Sequence, residues 1–335
     1  MAASPPAALG DAMRASRRGL IAGAGALAIA RPAGAQEFPS RPVTIIVPSP
    51  AGGGTDFSAR LIAEPLAARL GVPVVVENRS GGNGTIGLLA TKRARPDGTT
   101  LMVGYSGSMT GRPAVEGVAD VDTVADFAPV ALLTDTPQVM MVHPTVPART
   151  LQEFVAYART RPGQLNYASA GNGSLHHLGT ELLKYRTGID LVHVPYRGTG
   201  ETISDLLAGR IQFYMNSPPP VIAFIRDGRL RGIATTGEQR HPAMPDIPSL
   251  PESGLSNFPV NVWYALYAPA ATPAPVLQRL TREVRTVLAE PEVQRRAADS
   301  GTFVSFAEPE AVTARLRTEI AAWTEVVRAT GIRPD

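Results

Sequence analysis

The chain of 335 residues has no cysteine, two lysines (Lys92 and Lys184), few aromatic residues and no apolar run that could cross a bilayer. Without cysteine there is no disulfide framework, so the fold must rest on its core, which a chain of this length can build. The same absence removes any attachment point for a lipid thioether. With two lysines and no G-x-x-x-x-G-K-[ST] sequence, a phosphate-binding loop of that type is excluded. The missing apolar run excludes a membrane-spanning helix in the body of the chain.

The N-terminus has its own logic. Arg14, Arg17 and Arg18 precede an apolar stretch, Gly19 to Ala30, too short to span a membrane. Ala33-Gly34-Ala35 is a small-x-small cleavage site, which makes Gln36 the expected mature N-terminus. Ser16-Arg17-Arg18-Gly19-Leu20 resembles a twin-arginine export signal, with ordinary secretion as the alternative. The whole chain carries a formal charge of +3, but residues 1–35 hold four arginines and one acid. The mature protein is therefore neutral, and neither nucleic acid nor an anionic membrane is an implied partner. A soluble protein of the bacterial periplasm is expected.

What is present begins at Val43. The segment V-T-I-I-V-P-S-P-A-G-G-G-T-D reads as a buried strand, three glycines and a helix start. Thr55 and Asp56 are good N-cap residues for a helix over Phe57 to Leu70. A strand, an unobstructed backbone and the free N–H groups of a helix start form an anion pocket. The loop has no lysine or arginine, so backbone dipoles and hydroxyls must hold the anion. That favours a carboxylate held for binding over a phosphate held for chemistry.

Beyond this loop, apolar strands alternate with amphipathic helices, which indicates parallel α/β units. Strands are expected at Val72 to Glu77, Thr99 to Tyr105, Leu165 to Ser169, Leu191 to Val194, Ile211 to Met215, Leu230 to Thr235 and Asn261 to Ala268. Pro129 to His143 holds two apolar runs interrupted by Thr134 to Pro137. Helices are expected at Leu151 to Thr160, Leu175 to Thr187, Thr202 to Ala208, Val276 to Leu288 and Ala311 to Thr330. This is too much for one layer, so two lobes follow, with residues 36–138 and 260–335 forming the first and 139–259 the second. The chain would cross near Pro137 to Val142 and near Asn257 to Tyr264, giving a hinged cleft of the kind that binds small molecules.

Two further loops repeat the physics of the first. Ser169-Ala170-Gly171-Asn172-Gly173-Ser174 lies between a strand and a helix, and Tyr105-Ser106-Gly107-Ser108 follows another strand. Other motifs fail on their spacing. Gly82-Asn83-Gly84-Thr85-Ile86-Gly87 matches G-x-G-x-x-G, but no acid ends the following strand, so it reads as a loop feeding a helix. Gly104-Tyr105-Ser106-Gly107-Ser108 has serine where a nucleophile elbow needs glycine. His176 and His177 are adjacent, so on a helix they point about 100° apart and cannot chelate together. One of them is expected in the cleft and the other in packing. No metal, cofactor or catalytic constellation emerges.

At this point a family resemblance becomes legible. The segments P-V-T-I-I-V-P-S-P-A-G-G-G-T-D, V-V-V-E-N-R-S-G, P-D-G-T-T-L, L-N-Y-A-S-A-G-N-G-S, V-H-V-P-Y-R-G and the closing T-G-I-R-P-D resemble the Bug family, the extracytoplasmic solute receptors of tripartite tricarboxylate transporters. The likeness runs from about Pro39 to Asp335. It implies a two-lobed periplasmic binding protein fold, no enzyme activity and no cofactor. The implied partners are a small carboxylate and membrane transporter subunits, with the receptor itself a monomer. The implied ligand-binding residues are Ala51, Gly52, Gly53, Gly54, Thr55 and Asp56 in the first loop, and Tyr105, Gly107 and Ser108 after the third strand. The second lobe adds Ser169, Ala170, Gly171, Ser174 and His177, then Arg197 and Asn216.

Two positions depart from the family pattern. Ser49 stands where an aromatic residue often lies, and Asn216 where an aspartate often follows its strand. Losing that carboxylate weakens the case for a ligand ammonium. Two other readings compete: an exported cofactor-dependent oxidoreductase, and a receptor that hands its closed state to a signalling protein.

Overall fold

A computed structural model describes residues 38–116, 120–256, 258 and 260–332. The export segment, residues 1–35, and the last three residues of the closing motif lie outside the described residues.

The first half of the chain builds strand–helix units. β1 (Val43–Val47) leads into α1 (Gly54–Leu70), β2 (Val74–Asn78) into a short 3₁₀ turn and α2 (Thr85–Lys92). β3 (Thr100–Tyr105) is followed by a π-helical turn, Gly107–Gly111, and α3 (Arg112–Glu116). β4 (Phe127–Thr136) and β5 (Val139–Val142) come next. The second set comprises α4 (Leu151–Arg159), β6 (Asn166–Ser169), α5 (Leu175–Thr187), β7 (Val192–Pro195) and α6 (Thr199–Leu207). It ends with β8 (Phe213–Asn216), α7 (Ile222–Arg226) and β9 (Arg231–Thr235). β10 (Val262–Pro269), α8 (Ala274–Leu288), α9 (Pro291–Asp299), β11 (Phe303–Ala307) and α10 (Pro309–Thr330) close the chain.

These strands form two sheets, ordered β11-β4-β10-β3-β1-β2 and β7-β6-β8-β5-β9. β1 pairs in parallel with β2 and β3, while β10 runs antiparallel between β3 and β4. In the second sheet β6 is parallel to β7 and β8, and β5 is antiparallel to β8 and β9. All eight residues of β10 are buried, as its unbroken apolar run VWYALYA requires of an interior strand. The chain leaves the first sheet after Thr136 and returns to it at Val262. Gln138, fully buried between them, ties these passages together: its amide Nε2 donates to Val260 O at 2.9 Å and its backbone N–H to Thr236 Oγ1 at 2.8 Å.

Three expectations need correction. α1 starts at Gly54 with Gly53 as its cap, so Thr55 and Asp56 sit inside the first turn instead of capping it. The backbone is already helical at Ser106, so the expected open loop after β3 does not exist. α9 and the edge strand β11 escaped the sequence reading, because one is largely polar and the other has no fully buried residue.

Candidate functional site

The carboxyl ends of the parallel strands converge on a cavity of about 640 Å³. Its wall takes Pro48, Ser49 and Pro50 after β1, Ser80 to Gly82 and Gly84 after β2, and Tyr105 at the end of β3. The second sheet contributes Ala170 and Gly171 after β6, Tyr196 to Thr199 after β7, and Asn216 at the end of β8. Ligands of open α/β sheets bind in such crevices, beyond the carboxyl ends of the strands.

Two helix N-termini reach the wall without a side-chain cap. At α1 the cap is Gly53, and Gly54 and Thr55 follow it along the cavity. At α6 the cap is Gly198, followed by Thr199. A methyl group on Gly53 would lie 3.6 Å from Thr199 Oγ1, so the two helix starts, one from each sheet's side, address the same spot. Their first N–H groups are orphan donors with the positive end of a helix dipole behind them.

The other two helix starts near the wall have part of their donors engaged. At α5 the Ser174 hydroxyl accepts from His177 N, and the Gly173 N–H donates to His177 Nδ1 at 3.0 Å. At α2 the N–H groups of Gly84 and Ile86 return to Gly81 O, and that of Thr85 to Gly82 O. The loop ahead of α6, whose helix start has no side-chain cap, thus joins the Ser169–Ser174 loop, whose Ala170 and Gly171 line the wall.

The first loop is braced from behind. Asp56 accepts from the Gly52 N–H at 3.0 Å, from Arg60 Nε at 3.0 Å and from Asn78 Nδ2 at 3.0 Å. Asn78 Nδ2 also donates to Ser49 O at 3.1 Å. Burial pushes the Asp56 carboxyl upward, but the bonds from Arg60, Gly52 and Asn78 bring it below its ordinary value. It therefore stays ionised as a loop brace and is not on the cavity wall.

The inner wall is apolar and neutral. Leu175, Val262, Tyr105 and Tyr264 present carbon surface, and His176 and Asn216 supply the buried polar side chains. Tyr264 Oη donates to Ser217 Oγ at 3.3 Å, and Asn216 Nδ2 to Tyr214 Oη at 3.0 Å. Burial raises the Tyr105 phenol to about 12 and lowers the His176 imidazole to about 4, the latter only partly opposed by the Asn216 amide. His176 is thus neutral at physiological pH, and its Nδ1 has no hydrogen-bond partner. Among the described residues lining the cavity, the charged side chains are Arg197 and Glu201, both exposed.

Of the residues singled out from sequence, Gly53, Gly54, Thr55, Tyr105, Ala170, Gly171, Arg197 and Asn216 lie on the wall. Ala51, Gly52 and Asp56 shape the first loop from outside it. Gly107 and Ser108 belong to the π-helical turn, where Ser108 Oγ donates to Tyr105 O at 3.1 Å. Ser169 Oγ bonds His193 Nε2 at 2.6 Å, and Ser174 caps α5. His177 turns away, stacking on His193 with ring centroids 4.1 Å apart. The histidine on the wall is His176, as the 100° offset between neighbours on a helix dictates once one of them packs inward. Ser80 to Gly82, Gly84, Leu175 and His176 were missed, while Gly198 and Thr199 directly follow the expected Arg197. Their common signal was position: each lies just past the carboxyl end of a parallel strand or at the start of the helix after it.

Comparison with known proteins now decides the family. Residues 58–332 match the family described as tripartite tricarboxylate transporter family receptor. The chain belongs to that family. BugT of Bordetella pertussis is 35% identical over 310 residues, covering 91% of this chain and 94% of BugT. The structure of the periplasmic binding protein BugD superposes with a TM-score of 0.84 at 32% identity, over 89% of this chain and 100% of that one. MatC from Rhodopseudomonas palustris, solved with bound malate, gives 0.81 at 33% identity, over 87% of this chain and 100% of MatC. The protein is a solute-binding receptor with a two-lobed α/β fold, as the sequence resemblance implied. Among the described residues no helix is long and apolar enough to cross a membrane.

Proposed function

We propose that this receptor captures a small carboxylate between its lobes and presents the closed form to the membrane subunits of a tripartite tricarboxylate-type transporter. The observation that carries this reading is the meeting of the uncapped N-termini of α1 and α6 at Gly53 and Thr199. One carboxylate placed there takes N–H donors from both sides of the cleft, so binding energy favours the closed state. The malate bound in MatC supports the ligand class.

In this reading residues 36–138 and 260–335 are one lobe and 139–259 the other, with Gln138 at the passage between them. The receptor acts as a monomer, without catalysis, in the periplasm, after removal of residues 1–35. A thermal-shift panel of mono-, di- and tricarboxylates tests the ligand class. Saturation at a hundred times the dissociation constant adds about 2.7 kcal/mol of stability. A flat response across the panel overturns the carboxylate reading.

A further inference from the structure

The loop Ser169–Ser174 brings Ala170 and Gly171 to the cavity wall on a backbone with little stiffness of its own, since Gly171 and Gly173 take φ of 107° and 70°. Such a loop samples many conformations unless side chains outside it hold it, and ordering it costs entropy that would otherwise be drawn from ligand binding. Two imidazoles hold it. The Gly173 N–H donates to His177 Nδ1 at 3.0 Å, and His193 Nε2 bonds Ser169 Oγ at 2.6 Å. Ser169 Oγ also accepts the Gly171 N–H at 3.1 Å. The two rings lie face to face, with centroids 4.1 Å apart and planes 4° from parallel.

The two anchors are not equivalent. A hydroxyl donates or accepts, so His193 keeps its bond to Ser169 in either tautomer and when protonated. His177 Nδ1 faces a backbone N–H and can only accept, which requires a neutral ring with its proton on Nε2. Gly173 is buried against Val115, so without that acceptor its N–H would be left unpaired. Charged groups on α5 and on the segments packed around it are engaged with one another. Glu181 holds Lys184 and the hydroxyl of Tyr167, Arg112 pairs with Glu116, and Arg315 of α10 with Glu319.

We propose that His177 is a positioning residue of the binding site. Its Nδ1 fixes the Gly173 end of the wall loop, and its ring, stacked on His193, supports the partner that fixes the Ser169 end. Ala170 and Gly171 therefore meet the ligand already ordered. The role rests on the reading of this cavity as the carboxylate site, and His177 serves it through the backbone, without touching the ligand.

Two substitutions separate the acceptor from the ring. His177→Asn and His177→Leu both delete the stacked ring, but the asparagine Oδ1 stands where Nδ1 stood and can take the Gly173 N–H. In the ligand-free mature receptor, hydrogen exchange followed by NMR at pH 7.5 should find the Gly173 amide protected in the parent and in His177→Asn. In His177→Leu it should exchange roughly tenfold faster or more. Titration calorimetry with succinate, malate, adipate and citrate should place the dissociation constant of His177→Asn within about threefold of the parent. His177→Leu should raise it roughly tenfold, the effect of one buried N–H left unpaired. From pH 7.5 to 5.5 the parent should lose affinity relative to His177→Asn, because a proton on Nδ1 removes the acceptor, whereas protonation of the acid is common to both. If the two variants match in exchange, or differ in exchange but bind alike, His177 only packs and the proposal is overturned. If none of the acids binds the parent, the carboxylate reading falls, and the exchange comparison still decides whether His177 anchors the loop.

Discussion

Pro50 packs against Gly198: a methyl group on that glycine would stand 2.5 Å from Pro50 Cγ. The two residues belong to opposite sides of the cleft, one in the loop after β1 and the other the cap of α6. Their contact sets how near the two helix starts can come, and only a residue without a side chain allows it.

Gly198→Val should therefore act as a wedge. The added carbon forces the α6 start away from the first loop, and overpacking of this kind costs about 1–3 kcal/mol. Because Gly198 and Pro50 border the cavity, the penalty should appear mainly in the closed, ligand-bound state. Calorimetry should show a dissociation constant raised roughly tenfold to a hundredfold. An unchanged dissociation constant would show that the two loops need not touch for binding.

Gly54 makes a second close approach of a different kind. A methyl group there would overlap Tyr264 Oη and lie 2.8 Å from Ser217 Oγ, displacing the hydrogen bond that joins β10 to the end of β8. Gly54→Ala should lower stability by about 1–3 kcal/mol, read from the urea midpoint. Tyr264→Phe removes the nearest obstructing atom but leaves Cζ at 2.8 Å, so the double variant should recover part of that loss. Additive effects in the double-mutant cycle would rule out this contact as the cause.

These two glycines show what could and could not be read in the chain. The first loop was legible because an apolar strand, three glycines and a helix start are consecutive in sequence, and each has a local physical meaning. The helix start of α6 was not among the expected anion-binding loops. Ser174 is a good N-cap by type, and its hydroxyl takes one donor of α5, the His177 N–H. Gly198 is a weak cap, and its weakness leaves α6 open to a ligand. Sequence marks good caps readily, whereas a helix start left without a side-chain cap is harder to see. The choice between His176 and His177 was equally local: it depends on what β6 and β7 place beside the helix, namely Tyr167 and His193. β10, by contrast, was plain from its apolar run, and its place between β3 and β4 follows from the chain's return to the first sheet.

His176 gives the cavity a pH signature. Burial holds its imidazole at about 4, against 6.5 for a histidine in the unfolded chain. Above pH 6.5 both states are neutral there and the group leaves stability unaffected by pH. As pH falls from 6.5 to 4 the unfolded chain takes the proton first, so the folded state loses ground across that window. The loss should reach roughly 3 kcal/mol by pH 4 and then stop, as far as this group is concerned. His241, also lowered by burial, adds a loss of the same sign, so the comparison must isolate one residue. His176→Gln removes the titrating group while keeping a neutral polar side chain next to Asn216. Urea unfolding from pH 7.5 to 4 should then show a shallower decline in the variant than in the parent. If the two curves stay parallel, His176 is not the buried neutral group that the cavity wall requires.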